Sequence, residues 1–143
     1  MYTHTQTGRI MILSAIGMLA AGVAAGLISH DHVVFYLLLA MSLLMYFGFK
    51  DLTVEVDHEA VRLRFGVGIF KKEFKLRDIV SVRAVRNPWW CGWGIRMLSK
   101  GWLYNVAGLD AVELVFKNGR LARIGTDEPQ VLEAEIKSRS RNG

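Results

Sequence analysis

The chain has 143 residues, 52% of them hydrophobic and 22% charged, with a formal net charge of +5. Its single cysteine, Cys91, excludes an intrachain disulfide and any cysteine-based metal cage. Residues 1–49 carry one Arg and one Asp, so the whole positive excess belongs to residues 50–143, enough chain for one small domain.

Residues 1–49 read as a short tail and a two-helix transmembrane hairpin. Ile10 to Ser29 has no charged residue, and Val33 to Phe49 is a second such run. Twenty helical residues rise about 30 Å, the thickness of a bilayer's hydrocarbon core. The second run is shorter and needs its aromatic flanks, Phe35 and Tyr36 at one edge and Tyr46, Phe47 and Phe49 at the other, near the interfaces. Only His30-Asp31-His32 joins the runs, which predicts an antiparallel hairpin. Arg9 and Lys50 flank it while the loop has no Lys or Arg, so the positive-inside rule places both termini in the cytoplasm and His30-Asp31-His32 outside. A cleaved signal peptide is the competing reading of the first run. Cleavage after Ala25, however, would leave a chain starting almost directly with a second apolar segment. Two stripes of small residues, Gly17-Ala21-Ala25 and Gly22-Gly26, predict close helix packing, within the hairpin or in a homo-oligomer.

From Asp51 the period changes to two. Strands are expected at 52–56, 61–65, 70–76, 79–85, 94–98, 102–106, 112–116 and 120–124, with turns at Asp57–Ala60 and Asn118-Gly119. A helix capped by Asp127, with Pro129 in its first turn, should turn Val131, Leu132 and Ile136 to the sheet, and Ser138–Gly143 should fray.

The candidate sites follow from this frame. Trp93 and Trp102 are expected to fill the core, and Trp89-Trp90 to face lipid from a loop. Lys71, Lys72, Lys75 and Arg77, with Arg83 and Arg86 further on, form a candidate anionic-lipid patch, against the alternative of an ordinary solvated strand face. His30 and His32, with Asp31, supply too few ligands for zinc without a further donor and read as a polar turn; no metal or cofactor is expected. Cys91 would need a base to act as a nucleophile, and His58 is the histidine to weigh. No Gly-x-Ser-x-Gly, P-loop or His-Glu-x-x-His pattern occurs, and no catalytic residue is assigned. The charge is spread along the domain without a recognition helix, so nucleic acid is not an expected partner.

About seven antiparallel strands closed by a C-terminal helix, behind a two-helix anchor, resemble the bacterial pleckstrin-homology-like (PH-like) membrane proteins. The stretches that carry the resemblance are Val61–Gly66, Asp78–Val82, Gly92–Arg96 and Gly119–Pro129. It implies an α+β fold with a partly open barrel over residues 50–143, a location in the bacterial inner (cytoplasmic) membrane, and a binding or scaffolding role toward protein partners or anionic lipid. It implies no catalytic residues. The other functional reading is an accessory subunit of a membrane enzyme or transporter.

Overall fold

The first residues, a tail ahead of the hairpin by sequence, form strand β1 (Tyr2–Thr7), which pairs antiparallel with β2 (Asp51–Val56) from Tyr2 opposite Val56 to Thr7 opposite Asp51. Between these two adjacent strands the chain leaves through α1 (Arg9–Ser29) and returns through α2 (His32–Phe49). The computed structural model describes residues 1–30 and 32–141. The rest of the chain forms β3 (Ala60–Phe65), β4 (Phe70–Lys75), β5 (Ile79–Arg86), β6 (Gly94–Leu98), β7 (Gly101–Asn105), β8 (Asp110–Phe116), β9 (Leu121–Gly125) and α3 (Pro129–Arg141). Short 3-10 turns cover Leu76–Asp78 and Trp89–Cys91.

The helices pack as an antiparallel pair through small residues. A Cβ on Gly22 would lie 3.1 Å from the Leu38 Cβ, and one on Gly26 would lie 3.5 Å from the Phe35 Cβ, so this stripe is the seam within the hairpin. Gly17 on the other stripe has open space around it. Ser42 donates to the Ala15 carbonyl at 2.7 Å, satisfying its hydroxyl between apolar helices. Outward, Leu13, Leu27, Ile28, Val33 and Leu37 are exposed. Both helices are long and apolar enough to cross a membrane. In water so much uncovered apolar surface would be a liability.

The sheets follow the alternation of the sequence. Sheet A runs β1-β2-β3-β4, and sheet B runs β5-β8-β9-β7-β6. Leu52, Val54, Val56, Val61, Leu63 and Phe65 of sheet A meet Val82, Val112, Leu114 and Ile124 of sheet B, and Leu132 and Ile136 of α3 close the layer. The architecture is α+β, but the strands are not all antiparallel: β7 runs parallel to β9. The β6–β7 hairpin is inserted between β5 and β8 in the chain, yet it lies beyond β9, so β7 reaches β9 only by way of β8 and takes the parallel sense.

The C-terminal helix differs from its expected form at both ends. Asp127 does not cap it; its carboxylate meets His4 Nε2 at 2.6 Å, and Thr126 Oγ1 accepts the Glu128 N–H instead. The helix continues through the stretch expected to fray, with Arg139 donating to Glu135 one turn earlier. Residues 142 and 143 lie outside the described residues.

The junction between hairpin and sheet is tight. Gly8 N–H donates to the Lys50 carbonyl at 2.7 Å, and Val67 N–H to the Phe47 carbonyl at 3.0 Å. Gly66 has φ +52°, and a Cβ there would lie 1.9 Å from the Phe47 oxygen, so this turn admits only glycine. The helices therefore spring from the sheet without a linker.

Candidate functional site

Two surfaces of the β domain carry exposed groups that packing does not use. One surrounds the base of the hairpin, and the other is a trough at the far end.

At the hairpin base, Asn87 is buried, its N–H bonded to the Leu109 carbonyl and its side-chain oxygen accepting from Arg123 at 3.1 Å. Pro88 and the 3-10 turn follow, and the turn lifts Trp89 and Trp90 into solvent at 74% and 71% exposure, their rings edge-on 6.1 Å apart. Trp93 anchors the other side of the turn, donating Nε1–H to the Gly108 carbonyl at 3.2 Å. A Cβ on Gly94 would lie 3.5 Å from Met11 Cε, which places this loop beside the first turns of α1. On the α2 side, the β3–β4 turn exposes Val67 and Ile69, and Phe70 stacks near Phe49 with ring centroids 5.1 Å apart. Lys71 pairs in register with Arg64 just beyond.

The expected lysine patch is divided by the fold. Strand β4 starts at the hairpin base and runs away from it, so Lys75 lies about 16 Å beyond Phe70 at about 3.3 Å per residue. Lys71 and Lys75 share one face with Glu73, and Lys72 points with Phe74 to the other. Arg77 lies farther still, in a small hollow with His58, Glu59 and Arg139. Arg83 and Arg86 are elsewhere again, on β5, where they meet Glu113 and Asp110. No single face holds the predicted set.

The trough lies between the open edge of β4 and the distal turns of sheet B, with a volume of about 1130 Å³. Its floor is aromatic: the Phe74 ring centroid is 5.8 Å from that of Tyr104 and 5.4 Å from that of Phe116. Burial pushes the Tyr104 phenol up in pKa. Trp102 is 46% exposed at the trough rather than in the core, because the inner face of β7 extends beyond the cover of sheet A. Lys72, with Nζ 6.0 Å from the Phe74 ring centroid, and Lys75 approach from one side; Lys100, Lys117 and Arg120 approach from the other. Among the described residues none of these five side chains joins an ion pair. Two acids also line the trough, Glu73, held by Arg62 at 2.9 Å, and Asp78, so the five cations leave it a net positive rim.

Lys100, Lys117, Arg120, Val67 and Ile69 were not singled out by sequence. The turn cations sit far apart in the chain and share a mouth only through the β7–β9 pairing. Beside the Trp89-Trp90 pair already read as lipid-facing, the two apolar residues in the turn Gly66-Val67-Gly68-Ile69 were a readable signal for the base.

The remaining candidates separate. Cys91 is half-buried at the hairpin base, and His58 lies in the β2–β3 turn at the opposite end of β3, so the two do not form a nucleophile–base pair. His30 ends α1 in the left-handed conformation, φ 53°, and His32 opens α2; Asp31 lies outside the described residues. Among the described residues no three His, Cys, Asp or Glu side chains group as metal ligands do.

No family model matches this chain, and no curated protein matches it.

Proposed function

We propose that the chain is a non-catalytic, membrane-anchored binding module. In this reading a PH-like domain is held at the inner leaflet of a bacterial cytoplasmic membrane by two spanning helices, with both termini in the cytoplasm. It presents its surface to protein partners or anionic lipid.

The observation that carries this reading is the splicing of the apolar hairpin between paired strands β1 and β2. Whatever the hairpin enters, residues 1–8 and 50–141 stay on one side of it. Arg9 and Lys50 then lie at the same interface, and the charge rule makes that side cytoplasmic. Trp89, Trp90, Val67 and Ile69 ring the emerging helices at the level where amphipathic rings and apolar turns meet headgroups. Lys71 and Arg64 stand close behind, where each cation gains about 1 kcal/mol from an anionic surface.

The PH-like reading also has support in the topology. With the inserted β6–β7 hairpin set aside, seven strands remain, four in the meander β1–β4 and three in β5-β8-β9, followed by α3.

Membranes from cells expressing the full chain test the placement. The protein should stay in the pellet through alkaline carbonate extraction. In inverted vesicles a protease should digest residues 50–143, and in right-side-out vesicles it should spare them. Tryptophan fluorescence in the reconstituted protein should be quenched by brominated lipid, and Trp89→Phe with Trp90→Phe should remove most of that quenching. Release by carbonate, or protection with the opposite sidedness, refutes the reading.

A further inference from the structure

The hydrogen-bond phase of β4 decides which of its backbone groups are free. Leu76 N–H donates to the Glu59 carbonyl at 2.8 Å. In an antiparallel ladder, bonded pairs recur at every second residue. The register then makes Phe74–Val61, Lys72–Leu63 and Phe70–Phe65 the bonded pairs. The N–H and C=O groups of Lys71, Glu73 and Lys75 consequently point away from β3, along an edge that no strand among the described residues covers. Four consecutive residues, Lys72 to Lys75, line the trough. Side chains of a strand alternate between faces, so a cavity touching all four runs along the edge itself.

We propose that β4 and the trough beside it accept an acidic, extended segment of a partner protein as an added strand. Main-chain bonds to Lys71, Glu73 and Lys75 provide the pairing, as in other strand additions. The partner's carboxylates meet Lys72, Lys117 and Arg120, and an apolar side chain lies on the Phe74–Tyr104–Phe116 floor. The charge disfavours a second copy of the same edge, since pairing the outward residues antiparallel about Glu73 sets Lys71 against Lys75 twice and Glu73 against its equivalent. The chain's own bilayer is a poorer fit: Lys75 lies about 16 Å beyond Phe70 at the hairpin base, more than a Debye length of about 10 Å, and Lys117, its N–H bonded to the Asp78 carbonyl, stands at that far end with Arg120. That last step rests on the membrane placement proposed above, which the carbonate and protease experiments test independently.

The test uses the full chain in phosphatidylcholine nanodiscs and a fluorescein-labelled ten-residue peptide of alternating Glu and Val, followed by anisotropy. Saturable binding is expected. Methylating the nitrogens along one edge of the peptide, or Glu73→Pro, should each weaken it at least tenfold. Glu73→Pro removes an outward N–H and fixes φ as well as taking away the carboxylate and its ion pair with Arg62. Glu73→Ala, which loses the same carboxylate and ion pair but keeps the N–H, is its control and should bind as well as the parent or better. Lys117→Glu with Arg120→Glu, both on an exposed turn, should weaken binding at least tenfold and checks the site through residues outside β4. Absence of saturable binding by the parent peptide overturns the proposal. Equal binding of the N-methylated peptide also overturns it, because charge alone would then be the cause. Displacement by millimolar inorganic phosphate, combined with insensitivity to N-methylation, would assign the rim to a free phosphate-bearing ligand instead.

Discussion

Glu113 shows how one residue holds the outer face of sheet B. Its side chain is 3% exposed, and it accepts from Arg83 at 2.7 Å and from Arg123 at 2.8 Å. Burial alone would raise its pKa, but the hydrogen bonds from Arg123 and Arg83 outweigh it and bring the value below the usual carboxylate range. A depressed carboxylate stabilises the folded state above its unfolded pKa and loses that contribution as pH falls through the folded one. Glu113→Gln should therefore cost about 1–3 kcal/mol at neutral pH. The gap to the parent protein should close as pH drops below the usual carboxylate range. Chemical denaturation at a series of pH values checks this. The triad was not legible in the chain, because Arg83, Glu113 and Arg123 become neighbours only through the β5-β8-β9 pairing. Asp57 was legible: its carboxylate caps its own turn by accepting from Glu59 and Ala60, a local motif that spacing alone can announce.

Among the elements, the strongly patterned ones are those the sequence announced. Strands β2 to β9 lie within two residues of their expected ends, since alternation and turn residues are local signals. Strand β1 was missed. Tyr-Thr-His-Thr-Gln-Thr alternates without an apolar face, and its partner lies 44 positions away, from Thr7 to Asp51. It is held by contacts a linear reading does not see, including Thr5 with Thr53 at 2.9 Å and Gln6 with the Ala107 carbonyl at 3.3 Å. The helical pair offers a test at this scale. Gly22→Leu must push Leu38 away from the seam, whereas Gly17→Leu enters open space. The first substitution should lower the midpoint of thermal unfolding in detergent by several degrees, and the second should leave it nearly unchanged. A reversed order would place the seam on the other stripe.

For the molecule as a whole, closure depends on β1 meeting the turn that leads into α3. Tyr2 reaches Glu128, its hydroxyl 3.4 Å from the carboxylate, and burial followed by that nearby charge pushes its phenol up to about 12 from 10.0. A raised phenol stabilises the folded state below the ordinary tyrosine range, and this contribution fades as pH climbs toward the folded value. Ultraviolet titration of the intact protein against Tyr2→Phe should show one tyrosine ionising near that raised value. Ionisation of Tyr2 in the ordinary range would mean that β1 is not docked in solution. The α+β plan could be read from the chain, and so could the hairpin. The division of the basic residues between two ends of the domain could not, because it depends on which way β4 runs.

The position of β1 ahead of the hairpin has a consequence for biosynthesis. Tyr2–Thr7 leaves the ribosome first, but Asp51–Val56 follows only after both apolar helices have been made. The first strand must therefore wait, unpaired, until α2 has been made, and in the membrane placement proposed above that is the interval in which both helices insert. If one helix alone failed to cross, β1 and β2 would under that placement end on opposite sides of the bilayer, and sheet A could not be completed. Pairing of the two strands, under that placement, thus discriminates against chains in which one helix alone has crossed.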